Sequence, residues 1–431
     1  MKRAVLLGMV VLFMLGWVVT VQGLIEKPAE YRRLVQDAEA YEAEQIYVRA
    51  IESYKEALTY QPNSVDLKTR IALDYLALGD EASFVNRCNS INEEHRYPLQ
   101  VVTLLSDHYI NSRRNEKAIA VLQRAMKYHK NSPEIMERYD KLRYTYKEQY
   151  MNYDDIYPYR NDSAVVVQNG RYGLIGKNGK AIVKCQNDWM GAFSSDRTVM
   201  PVLWDGEFFF ANSSGYRIEV PKDNQHVEAL GILCNGAAPA KINGKYGYVN
   251  ERFEELSPFQ WDGATVIQNG FGAVCKGDKW ALINKEYQLV TDYIYDDVRM
   301  DAYGYCSISG RAFVKGPDGY RMVNEKGEQV GDGIYQDAVP FQTKEPTAVQ
   351  VGDKWGFVNL DGQMVIEPQY QDAGSFSGGL APVKTVSKWG YIDQENQLVI
   401  AAEYLEARSF YKGVAPVKKG NSWTAIELNI K

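Results

Sequence analysis

Lys354-Trp355-Gly356-Phe357-Val358 and Lys388-Trp389-Gly390-Tyr391-Ile392 are nearly the same five residues, 34 positions apart. The segments between them repeat too, since Gly379-Leu380-Ala381-Pro382-Val383 returns as Gly413-Val414-Ala415-Pro416-Val417 at the same spacing. A fixed offset shared by two unrelated pentads marks an internal repeat, in which one small unit is stacked many times to bury a continuous core. Upstream, the aromatic residue of the pair has counterparts at Tyr320, Trp280, Tyr246, Phe208 and Tyr172, and downstream at Trp423, which makes eight units.

Each unit divides into four short strand-like segments separated by turn residues. The first follows an aromatic landmark, as in Tyr370-Gln371-Asp372-Ala373, Tyr335-Gln336-Asp337-Ala338, Tyr153-Asp154-Asp155 and Tyr404-Leu405-Glu406-Ala407. Next come the Gly-x-Ala-Pro-Val segment, the Lys-Trp-Gly-Tyr-Ile segment and a last apolar pair such as Val365-Ile366. Between the third and fourth segments, Gly179, Gly215, Gly327, Gly362 and Asn396 occupy equivalent places, which predicts a tight turn with positive φ. The unit resembles the WG-repeat family from Tyr153 to Lys431, through Tyr172, Gly173, Tyr246, Gly247, Trp280, Trp355, Gly356, Trp389, Gly390 and Trp423. Ala281 departs from the motif by replacing its glycine. Four strands in roughly 35–40 residues is the arithmetic of a β-propeller blade, so an all-β propeller of seven or eight blades is expected, with an open β array as the alternative. The last unit runs out after three strands, so either a stretch near Arg143 to Tyr150 supplies the fourth or one blade stays short.

Before the β repeats, residues 30–150 carry a helical period broken at Pro62, Pro98 and Pro133, about one helical pair apart. Leu34, Ala38, Tyr41, Ala50, Tyr54, Ala57 and Pro62 alternate large, small and aromatic residues, and this order resembles the tetratricopeptide (TPR) repeat. Small residues let two antiparallel helices approach, while Tyr41 and Tyr54 fill the space beside them. A second unit keeps Ala72, Tyr75 and Gly79 but has Phe84 and Cys88 at the later places; a third reads Tyr109, Ala118, Leu122 and Ala125. Pro133 to Tyr150 is expected as a capping helix. The resemblance implies a groove for a peptide or a partner's helix, whereas a plain spacer is the bland alternative. No carboxylate-clamp pattern of Lys and Asn stands out, so no ligand residue follows from it.

Ala4 to Val21 is an uncharged apolar run behind Lys2 and Arg3, which predicts an uncleaved transmembrane anchor with the bulk of the chain outside the cytoplasm. A cleaved signal and a secreted chain is the alternative. The expected organisation is therefore multidomain: anchor at 1–27, an all-α TPR-like solenoid at 28–150 and the WG-repeat β domain at 151–431.

A formal net charge of −6, without a basic stripe, argues against a nucleic-acid partner. Tyrosine is abundant, 31 residues against 14 Phe and 8 Trp, which suits half-buried strands. Cys88, Cys185, Cys234, Cys275 and Cys306 are odd in number and scattered, and are expected as free thiols. His95, His108, His129 and His226 form no triad or metal spacing, Asp318-Gly319 and Asp361-Gly362 read as turns, and no cofactor is expected. Acids recur at Asp155, Asp297, Asp337 and Asp372, which points to strand or turn capping, since catalysis would single out one unit. These features predict a membrane-anchored, non-catalytic binding or scaffold protein of the bacterial cell envelope, recognising protein, peptide or cell-wall glycan. The rivals are an extracytoplasmic polysaccharide-acting enzyme with its site on a propeller face, and a cytoplasm-facing scaffold. A single unit with an unrepeated cluster of acids in a deep pocket would favour the enzyme.

Overall fold

The computed structural model describes residues 29–219, 226–307 and 309–429. They fall into two compact units that part between Thr145 and Tyr146. The apolar run Ala4 to Val21, which carries the expected anchor, lies outside the described residues, and no helix among the described residues is long and apolar enough to cross a membrane.

The first unit holds seven helices among its described residues: α1 (29–43), α2 (Tyr47–Tyr60), α3 (Val65–Ala77), α4 (Glu81–Glu94), α5 (Leu99–Asn111), α6 (Asn115–Met126) and α7 (Pro133–Leu142). Starts and stops are chemical. Ser64 and Asp80 accept from the backbone N–H groups of Leu67 and Ser83 at the entries to α3 and α4, Pro133 sits in the first turn of α7, and Gly79 ends the α3 turn at φ +78°. Short connections make hairpins of α1–α2, α3–α4 and α5–α6, with α7 covering α5 and α6. Ala38, Ala50, Tyr54 and Ala57 are fully buried where α1 and α2 meet; Tyr41 is half-buried beside them and Pro62 lies exposed in the turn before α3. Phe84 and Cys88 are also fully buried, packed among α3 to α6.

The second unit is an eight-bladed β-propeller. Blade one is Asp155–Ile156, Ser163–Gln168, Arg171–Gly176 and Ala181–Asn187; blade two is Trp189–Met190, Val199–Trp204 and Glu207–Asn212. Blade three comprises Val227–Leu230, Ala238–Ile242, Lys245–Val249 and Glu255–Trp261, and blade four Gly263–Ala264, Phe271–Lys276 and Lys279–Asn284. Blade five is Asp297–Val298, Ala312–Gly316 and Gly319–Val323; blade six Asp337–Ala338, Thr347–Val351, Lys354–Val358 and Met364–Tyr370. Blade seven follows with Asp372–Ala373, Leu380–Lys384, Trp389–Asp393 and Leu398–Tyr404, and blade eight with Glu406–Ala407, Val414–Lys419 and Ser422–Leu428. Within every blade the strands are antiparallel, with the short first strand at one edge. Second and third strands are nearly continuous in burial, while fourth strands alternate between exposed and covered residues, as a perimeter strand must.

Blade eight is closed by Tyr146–Tyr153, which pairs antiparallel with Ser422–Leu428 from Tyr146↔Leu428 to Tyr153↔Trp423. Ile156 and Tyr159 of blade one then bury against Val414, Trp423 and Ala425 of blade eight, completing the ring. The expected capping helix is thus corrected at its end: α7 stops at Leu142, and residues 146–153 are a strand because their period-two exposure matches a perimeter place that the last blade leaves empty.

The motif glycine has a physical reason. A Cβ added at Gly356 would stand 2.6 Å from the Ile366 carbonyl oxygen and 2.8 Å from the Pro368 nitrogen, and at Gly390 the same distances separate it from Ile400 O and Ala402 N. Here the fourth strand bulges, so that Trp355 pairs with Tyr370 but Phe357 already pairs with Ile366. Gly173 and Gly247 lie under the same kind of bulge. All four of these blades carry a laddered fourth strand. Among the described residues, blades two, four and five have three strands, and Phe209, Ala281 and Arg321 stand in the glycine's place. Blade eight has Thr424 there, and its hydroxyl donates to the Gln149 carbonyl of the closing strand.

Candidate functional site

The motif aromatics are scaffold. Tyr172, Tyr246, Trp280, Trp355 and Trp389 are half-buried on third strands, and Trp423 is buried. Each faces an outer partner: Asn187, Trp261, Tyr295, Tyr370, Tyr404 and Tyr153 respectively. Two residues on, Tyr248 and Tyr391 are fully buried and donate from their hydroxyls to Thr265 O (2.8 Å) and Arg408 O (2.9 Å) in the following blade. Part of the tyrosine excess is therefore spent on tying blade to blade, a use worth about 1 kcal/mol per bond.

The repeated acids are scaffold as well. Asp337 and Asp372 accept from the Ala338 and Ala373 N–H groups, Asp297 accepts from the Tyr320 hydroxyl, and Asp155 pairs with Arg408 at 2.9 Å. Arg299 reaches Asp337 at 2.6 Å, so that these pairs join blade five to six and blade eight to one. The carboxyl of Asp372 lies above the usual carboxylate range because it is buried.

One unrepeated acid stands elsewhere. In blade five the connection between the first two strands, residues 299–311, is about twice as long as residues 265–270 of blade four. It carries Asp301, which pairs with Arg160 of blade one at 2.5 Å and accepts from the Tyr303 and Tyr305 N–H groups. The Arg160 guanidinium also lies 4.2 Å from the Tyr305 ring, and the Tyr303 hydroxyl donates to Pro158 O at 2.6 Å. Tyr303, Tyr305, Phe193 and Ile232 pack in one buried cluster that draws on blades one to five. Asp301 is thus held by partners on both oxygens, in a place filled by side chains.

The open site is on blade two. A cleft of about 470 Å³ lies between one face of its three-stranded sheet and the fourth strand of blade one. Met190, Met200, Val202 and Phe209 make a buried apolar floor. Above it stand Trp204, 51% exposed, and Tyr216, 72% exposed. Gln186 of blade one, with Asp205, Glu207 and Arg217, adds a polar rim, while the buried Asn187 amide donates to Tyr172 O. Arg217 is fixed by Glu207 at 2.8 Å and lies 4.8 Å from the Phe209 ring. The chain turns back at Asn212, whose Oδ1 accepts from Ser214 and Tyr216, and Ile218 then bonds to Phe210 O. Two exposed aromatic faces over an apolar floor, ringed by amide, carboxylate and guanidinium groups, suit a saccharide ring, whose C–H face stacks while its hydroxyls are bonded at the edge.

Neither Trp204 nor Tyr216 is a motif residue. A signal was there to be read: four places before the motif aromatic the other units have Gln168, Ile242, Lys276, Gly316, Val351, Thr385 and Lys419, and only blade two has an aromatic. A second recurrence also escaped notice, the Asn that caps the turn after the third strand. Asn212, Asn250, Asn284, Asn324 and Asn359 each accept from N–H groups two and four residues on. The expected positive φ follows at Gly179, Gly215, Gly327, Gly362 and Asn396. The cysteines are all free; Cys185 and Cys275 lie in strands, and Cys88, Cys234, Cys275 and Cys306 are buried.

Comparison with known families agrees with the repeat. The model described as "WG containing repeat" matches residues 150–172, 172–199, 246–280, 355–388 and 389–423. No curated protein matches the chain. Among solved structures it is similar to a eukaryotic initiation factor (11% identity, 64% of this chain and 83% of the other, TM-score 0.40). Kluyveromyces lactis Hsv2p is also similar (10% identity, 55% and 97%, TM-score 0.35). Over the helices there is similarity to the first TPR of Spaghetti (RPAP3) bound to an HSP90 peptide (19% identity, 26% and 90%, TM-score 0.22).

Proposed function

We propose that this chain is a non-catalytic binding protein of the bacterial cell envelope, held at a membrane by its N-terminal segment and presenting its bulk outside the cytoplasm. The blade-two cleft carries this reading: Trp204 and Tyr216 stand half or more exposed in the one unit with an aromatic at that off-motif place. Glycan of the cell wall is the ligand class that fits those faces, and protein or peptide is the partner class for the TPR-like array. The hydrophobic alternation of Leu34, Ala38, Tyr41, Ala50, Tyr54 and Ala57 supports that likeness through close helix pairing. No nucleic-acid partner and no cofactor enter the proposal.

For the enzyme rival Asp301 is a poor candidate, because its oxygens accept from Arg160 and two backbone N–H groups in a place filled by side chains. A general acid or nucleophile needs an oxygen left for the substrate. Co-sedimentation of the full chain, solubilised in detergent, with insoluble cell-wall polysaccharide tests the binding; Trp204→Ala should weaken it at least tenfold, and equal retention of both proteins would sink the glycan reading. Protease treatment of intact cells, with an epitope at the C-terminus, tests the topology. Digestion only after lysis would point to the cytoplasm-facing scaffold.

A further inference from the structure

Five connections between first and second strands end in the same two-residue turn with φ positive at both places: Asn161-Asp162, Asn235-Gly236, Asn269-Gly270, Gly378-Gly379 and Lys412-Gly413. Asn and Gly are the residues such a turn prefers. Blades three, four and seven use nothing else. Only blades one and eight, neighbours across the ring closure, place charges there, and the two charges meet: Lys412 Nζ lies 2.9 Å from Asp162 Oδ1. Arg197 of blade two, also at positive φ, reaches Asp162 Oδ2 at 2.5 Å, and Lys177 approaches Oδ1 at 3.7 Å. Three cations from three blades therefore converge on one carboxylate. Although burial opposes it, the Lys412 bond and the charges of Lys412, Lys177 and Arg197 hold that carboxyl below the usual carboxylate range.

Beside this cluster opens a second cleft of about 470 Å³ between blades eight and one, lined by Asp162, Lys177, Asn178, Lys180, Lys412 and Glu427 among others. Lys180 is exposed and in no ion pair among the described residues, and Glu427 is engaged by Lys147 and Gln149. Positive charge is thus in surplus here, on a chain whose net charge is −6. Left-handed backbone at Arg197 and Lys412 is a local cost that a glycine would avoid, so the charged side chains at those turns call for a reason.

We propose that the cleft between blades eight and one is an oxyanion site, taking a phosphate or carboxylate group, with Asp162 holding the cations together while it is empty. Lys180 and Lys412 supply point-charge donors from opposite walls, and Lys177 completes the cradle. The site is independent of the aromatic cleft on blade two.

The test titrates the detergent-solubilised full chain, at low salt, with inorganic phosphate and separately with acetate, following heat release. Saturable binding of at least one is expected, falling as NaCl is raised, and which probe binds tells phosphate from carboxylate. Lys180→Glu should weaken it at least tenfold with an unchanged unfolding midpoint, since Lys180 has no ion pair to lose. Lys412→Gln should also weaken it, and Asp162→Asn should strengthen it by releasing three cations. Trp204→Ala should leave it as it was. No saturable binding of either probe, or binding indifferent to Lys180→Glu, would overturn the proposal; loss of binding in Asp162→Asn with the fold intact would overturn the role given to that carboxylate.

Discussion

Blade seven and blade two follow one plan and part at one residue. In blade seven Gly390 lies bare beneath the bulge of Leu398–Tyr404, and the perimeter is sealed by a laddered strand. In blade two Phe209 stands in that place and forms part of the floor of the cleft shared with blade one, beside the exposed Trp204 and Tyr216. The difference teaches that the motif glycine seats a fourth strand laid by its own blade, and that in blade two the side chain in its place lines a cleft.

The sharpest way to break this comparison is Gly390→Val. With backbone atoms 2.6–2.9 Å from the new Cβ, the fourth strand must lift, and the loss should be about 3 kcal/mol, read by urea unfolding of the full chain. A loss below about 1 kcal/mol would mean that the bulge is soft and the glycine incidental. Ala281→Gly asks the converse in blade four, whose outer segment meets the third strand through the isolated bridges Trp280↔Tyr295 and Ile283↔Leu289 and forms no laddered strand among the described residues. If the methyl group alone kept a ladder from forming, glycine would stabilise the protein. Because Thr291 bonds Leu282 through its hydroxyl and sets the path of the segment, the expected result is instead a loss of about 0.5–1 kcal/mol from the freer backbone. Smallest of the three is Trp204→Ala. Its half-exposed ring should cost less than about 0.5 kcal/mol of stability while binding suffers, a split that Gly390→Val would not show.

Eight units were legible because Tyr172, Tyr246, Trp280, Trp355 and their kin recur where a strand must meet its outer neighbour, and a repeated demand leaves a repeated residue. The closing strand was not, in full. Of residues 146–153 only the landmark Tyr153 belongs to the repeat pattern, since a fourth strand contributes little beyond an alternating face, and the tail of a helical region masks such a short alternation. The seating role of the glycine was also hidden, for it depends on a bulge in a different segment. In the site the limits were of the same kind. Trp204 is exposed and Trp423 buried by what lies across from them, and the pairing of Asp162 with Lys412 joins residues 250 apart in sequence. Their off-pattern identities were visible; their meeting was not.

The closing strand also decides where load from the chain enters the ring. Tyr146 begins the perimeter strand of blade eight, so tension arriving along the chain from the helical side enters the ring at its one seam. Whatever pull is borne by a ligand seated on the β unit must be resisted there first, by the Tyr146↔Leu428 to Gln149↔Ala425 pairs and the ion pairs of Lys419 with Glu148 and Lys147 with Glu427. Behind that strand the ring is still held by Ile156 and Tyr159 packed on Val414, Trp423 and Ala425 and by the Arg408–Asp155 pair, so the seam is a two-stage latch, with backbone pairing on the perimeter and side-chain packing within.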